Sequence, residues 1–251
     1  MMDMFCHTER KEGLMEIKTD IHCHTIASDH AYSTLLELAK AASDKGLEAI
    51  AVTDHCPALG DAPHPWHFEC LKGLPDQICG VRVLSGCEVN IIDKEGHLDL
   101  EERVLAMLDI VVASVHNPVY QQLDLPDNTQ TYLNVLENPY VDILGHSGNP
   151  RCRYEIETVL NRAKEMHKFI EINNNTFNTR PDNVEICREI AKRAKELGVG
   201  VVVNSDAHFC LDIGSFDHAI KMLREIEFPE ELIINRNLNS LKQALKPRKE
   251  I

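Results

Sequence analysis

Apolar residues in this chain recur as short runs separated by segments of helical spacing. The runs at 17–22, 49–53, 82–88, 110–116, 141–146, 169–173 and 200–204 are rich in Val, Ile and Leu, as strands are. Two of them, IVVASV and VGVVV, carry almost no polar alternation, which predicts strands buried on both faces. Between the runs, Leu35, Leu38, Ala39 and Ala42 recur at i, i+3, i+4 and i+7, the spacing of a helix face. Thr34 followed by Glu37 forms a capping-box pattern and Gly46 supplies a stop. Ile156, Val159, Leu160 and Ala163 mark another helix, and Val184, Cys187, Ala191 and Ala194 a third, closed by Gly198. Strands alternating with helices pair in parallel, because parallel neighbours need a long crossover. Periodicity alone leaves two arrangements, an open doubly wound sheet or a closed barrel.

The polar residues favour closure. His22, His24, His30, His55, Glu88, His116, His146, Asp206 and His208 lie at the C-terminal ends of these runs or just after them. In parallel α/β folds that is where sites assemble, and a barrel brings all the ends to one mouth. His22 and His24 are two apart, so on a strand they share a face while Cys23 points away. Asp206 and His208 repeat that spacing near the other end of the chain.

Composition narrows the chemistry. The chain has 251 residues and a formal charge of −14. It has no basic block to offset the acidity, which speaks against a nucleic-acid partner. No apolar run is long enough to span a membrane. The first residues lack the apolar core of a signal peptide, and nine cysteines without a Cys-x-x-Cys pair point to a reducing cytoplasm. Imidazole and carboxylate ligands suit zinc, with manganese or iron as alternatives. Nine ligand-type residues exceed what one or two ions with open positions need, and fit three divalent ions with one bridging carboxylate. Such a site lowers the pKa of a bridging water to give hydroxide and clamps the oxygens of a phosphoryl group. The ions outweigh the two acids, so the site attracts a dianion such as a phosphate monoester.

The stretches DIHCHT, SDHAYSTL, AVTDHCP, DAPHPWHF, GCEVNI, HNPV, LGHSGNP, EINNNTF and NSDAH together resemble the PHP-type phosphoesterases, the polymerase and histidinol phosphatase domain family, and within it the YcdX-type bacterial phosphatases with a trinuclear zinc site. The resemblance implies a distorted seven-stranded (β/α)7 TIM-like barrel over residues 15–246, with 1–14 as an N-terminal extension and 247–251 as a tail. Met15 would serve as an alternative start. The resemblance further implies one ion on His22, His24, Glu88 and Asp206, a second on Glu88, His116 and His146, and a third on His30, His55 and His208. Glu88, Asp206 and His208 would then be catalytic, in a phosphatase using a metal-bridging hydroxide on a small phosphorylated metabolite. Two positions depart from the family pattern: Ser147 stands where proline is frequent and Cys56 where glycine is usual. Neither removes a ligand.

Arg180, Asn174 and Asn175 follow the sixth run, which carries none of the nine, and are candidates for holding phosphate. His64, Trp66 and His67 lie in a proline-stiffened loop beside the mouth. Three other activities share parts of this pattern. A phosphodiesterase or 3′-5′ exonuclease of the same family is disfavoured by the acidic charge. An amidohydrolase would lack its bridging lysine and leave His30, His55 and His208 without a role. A non-catalytic metal-binding protein would keep the ligands without turnover.

Overall fold

The computed structural model describes residues 15–117, 119–121 and 123–245. The expected extension 1–14, residue 246 and the tail 247–251 lie outside the described residues. The strands are β1 (Thr19–Cys23), β2 (Ala49–Val52), β3 (Gln77–Ile78), β4 (Val81–Asn90), β5 (Ile110–Ser114), β6 (Ile143–Leu144), β7 (Phe169–Asn173) and β8 (Val201–Asn204). Seven pair in parallel in the order β1-β2-β4-β5-β6-β7-β8, and β3 is a short antiparallel partner of β4. The result is a nearly closed α/β, TIM-like barrel with helices between the strands. The edge piece β3 was not apparent in the sequence, because two residues carry no periodicity.

The seam between β8 and β1 is closed by side chains and loops rather than by a regular ladder. Asn235 is fully buried and its amide group donates to the carbonyls of Thr19 (3.0 Å) and Val203 (2.7 Å). Its Oδ1 accepts from Val203 N–H at 2.9 Å. Asn204 Oδ1 accepts from Ile21 N–H at 3.0 Å, and beyond it Asp206 N–H donates to the carbonyl of His22, also at 3.0 Å.

Alternation along each strand separates two apolar layers. Ala51, Leu84, Ile110, Val112, Ile143 and Val202 fill the barrel interior, and the helix Leu238–Ala244 closes its base with Leu241. Val83, Val111, Ala113, Leu144, Val201 and Val203 face outward beneath the helices. Full burial of each Val, Leu or Ile side chain among them contributes about 1.5–3 kcal/mol. The same parity carries the interior upward from Leu84 through Gly86 to Glu88, from Val112 to Ser114, and from Val202 to Asn204. Polar groups therefore top the apolar plug at the C-terminal mouth. The register of β1 against β2 shifts between Asp20 and Cys23. Ile21 belongs to the interior layer while the next residue, His22, also reaches an interior partner, the two-inward arrangement a bulge provides.

The helices follow their sequence signals. Leu35–Asp44 begins on Thr34 and Glu37 as a reciprocal capping box, a feature worth about 1 kcal/mol. Val184–Leu197 ends at Gly198, whose φ of 66° is the left-handed cap that glycine adopts freely. Among the described residues no helix is long and apolar enough to cross a membrane.

Candidate metal centre

Glu88 sits at the middle of the mouth, fully buried, on the interior face of β4. Its two oxygens address different imidazoles. Oε1 lies 2.9 Å from His146 Nε2 and 3.4 Å from His116 Nε2. Oε2 lies 2.8 Å from His55 Nδ1, 3.4 Å from His22 Nε2 and 3.6 Å from His24 Nε2. Asp206 Oδ1 approaches His24 Nε2 at 3.2 Å and His22 Nε2 at 3.6 Å. His208 stacks on His24 at 4.3 Å between ring centroids, and His30 stacks on His208 at 4.6 Å and on His55 at 4.9 Å. All nine of the expected residues thus stand around one mouth. His30 is the outlying one: its side chain is half exposed and its Nδ1 pairs with Asp61.

Two of these residues hold left-handed backbone, His146 at φ 22° and Asp206 at φ 54°. Such strain is sustained only where surrounding contacts over-determine it. At His146 the contact is Glu171, whose Oε2 accepts the His146 backbone N–H at 2.8 Å. The other oxygen, Oε1, accepts the Nδ1 proton of His22 at 2.7 Å and an amide proton of Asn204 at 2.9 Å. Glu171 was not identified from the sequence. Its signal was a lone acid inside the apolar strand FIEIN, on the one strand that carries no candidate ligand. Asn90 plays the same part for His116, accepting its Nδ1 proton at 2.7 Å. His208 Nδ1 donates to the carbonyl of Asp206 at 2.9 Å. In each case Nδ1 is committed as a donor, and Nε2 is left as the nitrogen that faces the mouth.

The electrostatics are those of a site built around cations. Burial opposes ionisation of Glu88, but His22, His116 and His55 outweigh it and hold its carboxyl well below the usual range. Asp206 is likewise held low against burial, by His22, His24 and Arg180. Burial and the neighbouring His55 push His24 down to about 3. Burial also lowers His146 and His208. His22 moves the opposite way, since Glu171, Glu88 and Asp206 overcome its burial and raise it. His55 is raised by Glu88 despite its own burial.

Several polar atoms here are buried and, although oppositely charged or polar groups stand close by, make no hydrogen bond of good geometry: His22 Nε2, both ring nitrogens of His24, His55 Nδ1 and Glu88 Oε2. Orphaned buried groups are costly, about 1–3 kcal/mol each, and every one of these atoms is of a type that binds metal ions. Three groupings bring donor atoms close enough to share an ion: His24 with His55 and His208, His22 with His24 and Glu88, and His55 with Glu88 and His116. The residues present therefore fit divalent metal ions.

The remaining candidates lie around this centre. Arg180 reaches Asp206 Oδ2 with Nη2 at 3.4 Å, while its Nη1 is buried without a partner. Asn174 and Asn175 line a polar chamber that also contains Arg180, His30 and His208. The Asn174 carboxamide oxygen is already engaged, accepting from Ala219 N–H at 3.0 Å. His67 Nε2 lies 3.1 Å from Asp54 Oδ2, and Asp54 in turn accepts from Thr25 and Ser28 in the loop after β1. Trp66 is exposed, and His64 meets its ring edge-on. Cys23 faces away from the centre, with its thiol donating to the Ala51 carbonyl at 3.2 Å.

Known proteins share this arrangement of sequence and fold. The PHP domain model matches residues 20–178. A protein named "Probable phosphatase" in Caldanaerobacter subterraneus subsp. tengcongensis is 48% identical over 243 residues, covering 95% of this chain and 96% of its own. Another of that name in Acetivibrio thermocellus is 45% identical over 236 residues, covering 94% and 98%. Among solved structures, histidinol phosphate phosphatase from Lactococcus lactis subsp. lactis, complexed with zinc, L-histidinol and phosphate, superposes with a TM-score of 0.60 at 20% identity, over 84% of this chain and 94% of its own. That likeness is one of fold. The family model over more than half of the chain, and relatives near half identical over nearly all of it, show that the chain belongs to the PHP domain family.

Proposed function

We propose that this chain is a metal-dependent phosphatase that hydrolyses monoesters of small phosphorylated metabolites at a three-ion centre. Family membership, the phosphatase names of its relatives and the donor set at the mouth support the activity. The carrying observation is Glu88, whose two carboxylate oxygens face two different sets of imidazoles, as a bridging ligand requires. In this reading His22, His24, Glu88 and Asp206 hold one ion, Glu88, His116 and His146 a second, and His30, His55 and His208 a third. Zinc suits these ligands, and manganese or iron would also be accepted. When bound, the ions supply a hydroxide nucleophile at neutral pH and neutralise phosphoryl oxygens.

The chain's own groups do the rest. Glu171 and Asn90 fix the ring orientation of His22 and His116, so the free nitrogens are aimed before ligands arrive. Arg180 offers its unpartnered Nη1 to a phosphate oxygen. Asn174 and Asn175 line the chamber beside Arg180 and stand with it as candidates for holding the phosphate. The ester P–O bond breaks, water supplies the new oxygen on phosphorus, and the departing alkoxide takes a proton. The products are an alcohol and inorganic phosphate.

The test is phosphate release by purified protein loaded with zinc or manganese, against a panel of monoesters plus one diester, with metal content measured in parallel. Monoester turnover abolished by chelator, with about three ions per chain, is the expected result. Turnover of the diester alone would replace this reading with a phosphodiesterase. Ions bound without any turnover would replace it with a metal-binding role.

A further inference from the structure

The mouth is not symmetric in charge, and the asymmetry bears on what the substrate carries besides its phosphate. A central chamber of about 530 Å³ contains His55, Glu88, His116, His146 and Asp206. Two side lobes open from it, and Arg180 lines all three spaces. The lobe beside Asn174 and Asn175, about 570 Å³, contains the acids Asp206 and Asp212 and no cation besides Arg180. The other lobe, about 400 Å³, lies against His116 and His146 and holds a second cation, Arg151, with Asp182 as the single acid among its described lining residues.

Arg151 is unusual in its surroundings. It is exposed, and among the described residues no carboxylate lies within ion-pair distance of its guanidinium. Most other described arginines of this chain are matched to an acid: Arg103 with Glu69 and Glu101, Arg153 with Glu189, Arg162 with Glu137, Arg188 with Glu225, Arg193 with Glu157. In a chain of formal charge −14, a guanidinium left unmatched at the rim of the site is a local attractor for anions. Arg180 already serves the transferred phosphoryl group in the reading above. Arg151 stands further out, in a lobe of a size that holds a small ligand. A guanidinium there matches a planar carboxylate or a second phosphate, either of which it binds in a fork.

We infer that the preferred substrate is a phosphate monoester whose leaving group carries a second anionic group, a carboxylate or another phosphate, and that Arg151 recognises it. The inference rests on the phosphatase reading and adds the leaving group's charge to it. Arg151 acts on specificity. It holds the tail of the substrate and takes no part in breaking the ester bond.

The test compares matched pairs in the metal-loaded wild type and in Arg151→Gln. For turnover, 3-phosphoglycerate is set against glycerol 3-phosphate, and fructose 1,6-bisphosphate against fructose 1-phosphate. The first pair isolates a carboxylate and the second a phosphate. For binding, calorimetry compares 4-phosphonobutyrate with butylphosphonate, which cannot be hydrolysed and therefore report even without turnover. The wild type is expected to prefer the anionic-tail member of at least one pair by about tenfold or more in kcat/KM, and the phosphonate pair should show the same preference in affinity where the carboxylate pair shows it in turnover. Arg151→Gln should bring those ratios close to one, chiefly through KM, and Arg151→Lys should restore part of the preference. Ratios near one in the wild type would overturn the inference, as would ratios unchanged in Arg151→Gln. If no ester is hydrolysed but the phosphonate preference is present and lost in Arg151→Gln, the phosphatase reading fails while the anion-recognition role of Arg151 stands.

Discussion

Glu171 accepts the Nδ1 proton of His22 at 2.7 Å and, with its other oxygen, the backbone N–H of His146 at 2.8 Å. One buried carboxylate on β7 thereby orients residues contributed by β1 and by the loop after β6. Glutamine at this position has one acceptor end and one donor end. Whichever way it turns, its NH2 meets either the His22 ring nitrogen or the His146 N–H, and one of the two loses its fixed geometry. Glu171→Gln is expected to weaken zinc binding by about 10–100-fold, measured by competition with a chromophoric chelator. Affinity within about twofold of wild type would show that the carboxylate does not govern the ligands.

Glu88 has a different part, because both of its oxygens face imidazoles directly. Glu88→Gln preserves volume but turns one oxygen into a donor, so the side chain can no longer serve as the proposed bridge. The expected loss in kcat/KM is about a thousandfold or more, with metal content per chain reduced. Activity within about tenfold of wild type would sink the bridging assignment.

The contrast between these two acids shows what was legible in the sequence. Glu88 was visible because it joins a set of histidines and acids spaced at the ends of successive apolar runs, and those runs became β1, β2 and β4 to β8 with small shifts at their ends. The helices starting at Leu35 and ending at Leu197 were legible from caps as well as periodicity. Glu171 was hidden because its role depends on three partners remote in sequence, and an acid within an apolar strand carries no spacing signal of its own. The same holds for Asn235, which sutures β1 to β8 across more than two hundred residues of chain. The bulge that turns both Ile21 and His22 inward was also hidden, since strict alternation assigns neighbours to opposite faces.

Protonation gives a prediction independent of activity. In the metal-free protein His22 is raised, because Glu171, Glu88 and Asp206 overcome its burial, and His55 is raised by Glu88 in the same way. His22, raised well above its ordinary value, holds its extra proton at neutral pH, and a metal ion needs it neutral. His24, His146 and His208 are lowered by burial and are already neutral. Zinc loading at pH 7 should release about one proton per chain from His22, with a further proton for each bound water that ionises to hydroxide, and apparent affinity should rise with pH as His22 loses its proton. Calorimetric titration in buffers of different ionisation enthalpy reads the proton count as a slope. A slope of zero at pH 7 would contradict the assignment.

The barrel wall packs directly against the strand end that carries His146. Gly145 lies between Leu144 of β6 and His146, with its N–H on the Ala113 carbonyl at 2.9 Å. A Cβ there would strike Ser114 Oγ and come within 2.7 Å of Val112 Cγ1. Both neighbours sit on the interior face of β5; the Ser114 hydroxyl can turn, but Val112 is packed in the barrel plug and does not move away without disturbing the core. Gly145→Ala should cost about 1–3 kcal/mol, a fall in Tm of roughly 3–10 °C for a chain of this size. Its second effect is on the site. Any shift of the wall at Gly145 displaces His146, whose Nε2 is 2.9 Å from Glu88 Oε1, so zinc affinity should fall together with Tm. A Tm lowered with zinc affinity intact would mean that the strand end absorbs the strain before it reaches His146. A Tm unchanged within about 1 °C would mean that the wall is looser than its packing implies.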